Sequence, residues 1–145
     1  MAETTFDFNR VSPMMALCFN NSCQLKDNCI RFLAGTHAPS DKLFGRAVYP
    51  TALKDGKCAM FKQTKVIKAA YGFSSLFRDV KSRDGHALRL AMMDYLGNRS
   101  AYYHYANGSY VLKPEQQEWI INLFKKYGYT ENIQFDNYEM LYDLD

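Results

Sequence analysis

The sequence predicts an α+β fold: a mostly helical single domain, 1–145, with a cysteine-rich N-terminal metal-binding region and one β-hairpin. Three observations carry this. Three of the four cysteines crowd into CFNNSCQLKDNCIRF, residues 18–32, spaced C-x4-C-x5-C, and the fourth is Cys58. Apolar residues recur at helical spacing in two later segments. Between those segments, Asn107-Gly108 divides two aromatic runs, as a tight turn between strands would. The domain then organises as a cysteine-rich region at 18–58, helices and hairpin at 64–127, and a docked acidic tail at 128–145.

The elements follow in chain order. LKDNCIRFLA, 25–34, suits a short helix that Gly35 stops. Residues 36–57 hold two prolines, polar turn clusters and little periodicity, which reads as a loop packed by its aromatics and returning the chain towards Cys58. Over 64–81, Val66, Ile67, Ala70 and Phe73 fall on one helical face, with Gly72 as a weak point. Asp84 is placed to cap HALRLAMMDYL, whose stripe is Leu88, Ala91, Met92, Tyr95 and Leu96, and Gly97 ends it. AYYHYANGSYVL, 101–112, is the predicted hairpin. Pro114 suits the first position of the next helix, with Glu115 and Glu118 in its first turn, Lys125 and Lys126 in its last, and Gly128 beyond. The tail NIQFDNYEMLYDLD holds Ile133, Phe135, Tyr138, Met140, Leu141 and Tyr142, too many apolar groups for a solvated tail, so it is expected to dock.

Length and composition suit one folded domain: 145 residues, of which 15% are aromatic. MAETTFDFNR lacks the basic start and apolar run of a secretory signal, and no window approaches the roughly 20 apolar residues that cross a bilayer. A soluble, cytoplasmic protein with no membrane partner is expected. Net charge is +3, unevenly spread: residues 41–90 carry eleven bases against four acids, while 128–145 carry five acids and no base. A basic middle of this kind suits a polyanion, either nucleic acid or an acidic protein, and it suits equally a surface compensating the tail. Lys62, Lys65, Lys68, Arg78, Lys81 and Arg89 are the candidate contacts, although no recognised nucleic-acid motif accompanies them.

In a reducing cytosol, clustered thiols serve as metal ligands or redox groups more readily than as structural disulfides. Cys18, Cys23, Cys29 and Cys58 would complete a tetrahedral zinc shell, and Asn20, Asn21, Ser22 and Asp27 suit the turns that shell needs. An iron–sulfur cluster is the alternative cofactor. The spacing partly matches the plant-type ferredoxin pattern, but its second gap is five residues and not two. Buried free cysteines and a redox pair remain open as well.

CFNNSCQLKDNCIRFLAG, GKCAMFK, SAYYHYANGSYVLKPEQQEWIINLFKKYGY and FDNYEMLYD together resemble a family of short four-cysteine bacterial proteins classed as a domain of unknown function. The resemblance covers most of the chain and implies a cytosolic bacterial protein. It assigns no catalytic residues and adds modestly to the metal reading.

Other chemistry is thinly represented. His37, His86 and His104 lack metal-ligand spacing, and Tyr102, Tyr103 and Tyr105 suit cross-strand packing better than base stacking. Glu115 and Glu118 are explained as partners of a helix dipole. No phosphate-cradling glycine loop, nucleophile elbow or His-Asp-Ser set is visible. The function expected is a small zinc-stabilised binding or regulatory module, with an iron–sulfur redox or sensor protein as the alternative.

Overall fold

The structure, a computed structural model, describes residues 4–144. It is α+β: the described residues form five α-helices, two two-stranded sheets and short 3-10 turns. The chain sorts into two compact units, Ile67–Met140 and the remainder, which runs up to Val66 and resumes at Leu141. No helix among the described residues is long and apolar enough to cross a membrane.

The first unit is mostly irregular. Its helix α1, Ile30–Thr36, starts later than the expected 25–34, because Lys26–Asn28 close a 3-10 turn first. Gly35 lies inside α1 and is not its stop. The helix ends when the His37 N–H turns back to the Ala34 and Gly35 carbonyls. The aromatics expected to pack the following loop do not do so: Phe44 and Tyr49 are exposed. That loop leads into a hairpin of β1 (Leu53–Lys54) and β2 (Lys57–Cys58), antiparallel, with Leu53 opposite Cys58 and Lys54 opposite Lys57. Asp55 and Gly56 form its two-residue turn with φ of 52° and 76°, the pair of positive angles that a type I′ turn requires.

The expected helix over 64–81 is instead β3, Val66–Tyr71, followed by one helical turn, α2, Ser74–Phe77. Ile67 and Ala69 turn inward while Val66 and Lys68 face out, a period of two that the helical reading of the same residues hides. Gly72, with φ +88°, separates the two elements. Three longer helices follow: α3 (Ser82–Leu96), α4 (Arg99–Asn107) and α5 (Pro114–Lys126). Residues 101–107 are therefore helix and not the first arm of a hairpin. Asn98 starts α4 by accepting the Ala101 N–H on its side chain at 2.7 Å, and Gly108 ends it at φ +91°. Glycine's freedom at positive φ serves a helix end here, whereas a type I′ turn would have needed Asn107 positive too.

Helices α3 and α5 match their sequence signals more closely. Leu88 and Met92 of α3, with Ile120 and Phe124 of α5, are essentially fully buried. They join Ala70, Phe73, Leu76, Tyr102, Leu112 and Phe135 in one core, each large side chain contributing about 1.5–3 kcal/mol by burial. Gly97 closes α3 at φ +118° and Pro114 opens α5. Asp84 lies in the first turn of α3, whose N-cap position is Lys81. Its carboxylate accepts the Tyr129 hydroxyl at 2.6 Å, and that hydroxyl oxygen accepts the Lys81 N–H. Glu118, expected in the first turn of α5, falls outside it; Gln116 closes that end by accepting the Lys113 N–H at 2.8 Å. The acidic segment supplies Phe135 to the core and pairs β4, Asn137–Tyr142, with β3.

Asp136 fixes the start of α2. Its carboxylate accepts the N–H groups of Ser74 at 3.0 Å and Ser75 at 2.7 Å, doing from a distant segment what an N-cap residue does locally. Partial burial raises the pKa of this group, but the main-chain and hydroxyl donors of Ser75 and Ser74 outweigh that and hold it below the ordinary carboxylate value. A Cβ on Gly72 would stand 2.7 Å from the Asp136 side chain, so only glycine admits it. Asp136→Ala is expected to cost about 1 kcal/mol, by analogy with N-cap losses. In the wild type, the contribution is complete above the unfolded carboxylate pKa of about 3.9 and fades as pH falls through the lower folded value. Urea denaturation of both proteins from neutral to acid pH measures this: the two midpoints should converge only in acid, and a constant gap would show that ionised Asp136 does not matter.

Candidate metal centre

Four separate stretches of chain present the four cysteines. The Cys18 N–H donates to the Arg31 carbonyl at 3.0 Å, which lays residues 17–18 alongside α1. Cys23 follows a turn in which Asn20 accepts the Ser22 N–H on its side chain and the Cys23 N–H on its carbonyl. Cys29 occupies the N-cap position of α1 and is buried, bridged antiparallel to Gln63. Cys58 ends β2, delivered there by the Asp55-Gly56 turn.

Two sulfurs already hold main-chain donors. The Leu25 N–H points at Cys23 Sγ and the Met60 N–H at Cys58 Sγ, each at 3.4 Å and each from two residues further on. Sulfur is a weak hydrogen-bond acceptor, and both contacts are local to the turn that carries the cysteine. N–H donors of this kind would orient a sulfur that served as a metal ligand.

All four cysteines are free, and all four line one cleft, with Arg31, Phe32, Val48 and Phe61 among its other walls. Its interior is small, about 20 Å³, close to what one water-sized body needs. Among the described residues, no three His, Cys, Asp or Glu side chains stand together so that they could hold a metal ion, so the four-cysteine shell expected from the sequence is not assembled here. The sulfurs share a cleft without meeting in it, so ligation would require them to close inward. Arg31 ties two walls together: its Nε donates to the Met60 carbonyl at 2.8 Å and its Nη1 to the Ala16 carbonyl at 3.2 Å. This links the Cys58 arm to the Cys18 arm.

The remaining candidates are dispersed. Lys62 and Lys65 belong to the first unit, and Lys68, Arg78, Lys81 and Arg89 to the second. Lys68 Nζ lies 4.7 Å over the Tyr138 ring, and the Arg89 guanidinium 4.4 Å over Phe77. His37 is held by the Leu33 carbonyl at 2.9 Å and packs on Phe6, His86 is exposed, and His104 packs on Tyr110. Tyr102 is buried against Phe73, as a core residue. Sequence reasoning passed over Arg31, and it placed a Gly-Lys turn ahead of Cys58 where the chain turns one residue earlier, at Asp55-Gly56. The dipeptide was a signal for the turn. Nothing local announced that Arg31 would bridge the two arms.

A model described as "Family of unknown function (DUF6078)" matches residues 1–144. No curated protein and no solved structure gives a match.

Gly35 packs against the Cys18 main chain so tightly that an added Cβ would stand 2.2 Å from the Cys18 carbonyl oxygen. Gly→Ala inside a helix ordinarily gains about 1 kcal/mol. Gly35→Ala should instead lose about 1–3 kcal/mol through overpacking, read as a lower denaturant midpoint; a rise would show that the Cys18 segment yields freely.

Proposed function

The chain belongs to this family of unknown function, and we propose that it is a zinc-stabilised binding or regulatory module with no catalytic chemistry of its own. Cys18, Cys23, Cys29 and Cys58 would hold one zinc ion as tetrahedral thiolates. The observation that carries this reading is that all four line a single small cleft, where two of the sulfurs already accept N–H groups, though the sulfurs would have to close inward to share an ion. An iron–sulfur cluster, which four thiolates would also hold, is the second reading.

The need for a staple has a physical basis. Among the described residues, the buried hydrophobic side chains of the first unit are Leu17, Cys29, Ile30 and Ala34. So small a core offsets little of the entropy lost in ordering a largely irregular chain, and metals are a common remedy. Zinc bound across four segments would tie the Cys58 hairpin to α1 and to the Cys18 segment, adding its binding free energy to folding.

The partner proposed is an acidic protein surface, with nucleic acid as the competing polyanion. Lys62, Lys65, Lys68, Arg78, Lys81 and Arg89 are the candidate contacts. Two of them, Lys68 and Arg89, already rest on aromatic rings, which leaves fewer of the six free for either polyanion.

Protein purified without air should carry about one zinc per chain by elemental analysis, with no visible absorption. Cys23→Ser and Cys58→Ser should each weaken zinc binding at least tenfold and lower the melting temperature. Acid should weaken it too, since binding requires the thiols to give up protons. A metal-free protein whose melting is unchanged by all four Cys→Ser substitutions would refute the reading. Brown protein bleached by dithionite would replace zinc with an iron–sulfur cluster.

A further inference from the structure

The first unit has a second concave feature, on the segments flanking Cys18. The loop of residues 38–47 is anchored at its base: the Leu17 N–H donates to the Arg46 carbonyl at 3.1 Å and the Val48 N–H to the Leu17 carbonyl at 2.8 Å. Its tip is left in water. Leu43 is 87% exposed and Phe44 92%, while Phe19, also lining the groove, is 56% exposed. The groove measures about 430 Å³, within the range of ligand-binding clefts. Scattered single apolar residues on a surface need no explanation, but three large ones lining one groove on an anchored loop do.

The charge around the groove has one sign. Lys42 and Arg46 line it and no acidic side chain does; Asp41 sits on the adjoining turn. Neither cation is ion-paired among the described residues, and Arg46 reaches only the Met14 sulfur, at 3.5 Å. An occupant that completes this surface supplies an apolar side chain and carboxylates beside it. A lipid surface would satisfy the cations and the protruding tip, but it has no use for a groove with Phe19 in its lining.

We propose that this groove is a docking site for a partner protein's peptide segment in which a large apolar residue is flanked by Asp or Glu. Leu43, Phe44 and Phe19 take the apolar side chain, and Lys42 and Arg46 take the carboxylates. The proposal gives a surface and a ligand chemistry to the binding module, and it rests on the zinc reading in one respect. Phe19 follows Cys18 directly, and Gly35, also in the lining, packs on the Cys18 carbonyl, so metal at Cys18 would set the position of Phe19.

The test is a random peptide library displayed on phage, selected on the full-length protein and counter-selected on Leu43→Ser/Phe44→Ser, whose changes lie at exposed positions. Enriched peptides should carry Phe, Leu or Trp beside Asp or Glu. They should bind the variant at least tenfold more weakly and weaken severalfold at high salt. No enrichment over the variant, or enrichment of peptides without acids, overturns the proposal. So does co-sedimentation of the wild type, but not the variant, with phosphatidylserine vesicles, which would make the occupant a membrane. Self-association lost in the variant also overturns it, by making the occupant a second copy. Zinc content is measured on the same samples: peptide binding without zinc refutes the metal and leaves the groove, and zinc without peptide binding does the reverse.

Discussion

The second unit depends on satisfying the main chain of β3 while its side chains are buried. Ala69 and Ala70 are almost wholly inaccessible, so the peptide groups there have no water to turn to. Four later segments answer. Leu112 exchanges both main-chain hydrogen bonds with Ala70, the buried Gln117 donates to the Lys68 and Leu112 carbonyls, Tyr105 accepts the Gly72 N–H, and β4 pairs with the strand. The Gly72 carbonyl then accepts the Asp136 N–H, and the Asp136 carboxylate caps α2. Gln117 is buried because it satisfies this strand. Most of these contacts are distant in sequence, so the strand and its partners have little reason to form one at a time.

The first unit follows a different regime. It has short elements, many exposed side chains and few apolar groups to bury, and its long-range order comes from single main-chain bridges, at Leu17–Ala47 and Cys29–Gln63, and from Arg31. In such a setting a four-point metal link has a larger relative effect than in a well-packed core. The functional proposals share this location. The cysteine cleft and the groove beside the exposed Leu43-Phe44 loop adjoin at residues 17–19, so one short segment would serve both the proposed staple and the proposed docking groove.

The parts of the fold legible in the sequence were those whose signals are local. Helices α3 and α5 carry their own periodicity and their own ends, Gly97 in one case and Pro114 in the other, and both formed close to the expected bounds. Asn107-Gly108 misled because one glycine with positive φ ends a helix as readily as it turns a hairpin. The actual hairpin lay at Asp55-Gly56, between lysines that give no strand pattern. β3 was hidden because VIKAAY satisfies a helical stripe as well as a strand alternation, and only its partners decide between the two. Asp136 read as one acid in an acidic tail, and nothing near it in sequence predicts that it caps a helix begun at Ser74.

By itself, then, the sequence determined the family, the α+β class, the two best helices and the presence of four thiols, three of them within twelve positions. These follow from residue identity and from backbone preferences that act over a few positions. Only the tertiary structure decided that all four cysteines face one small cleft, that Arg31 joins two of its walls, and that Leu43 and Phe44 stand out in solvent. Those outcomes depend on which distant segments pair and on what space remains between them. A thiol's chemistry is written in its own residue; its neighbours are set by the folding of the rest of the chain.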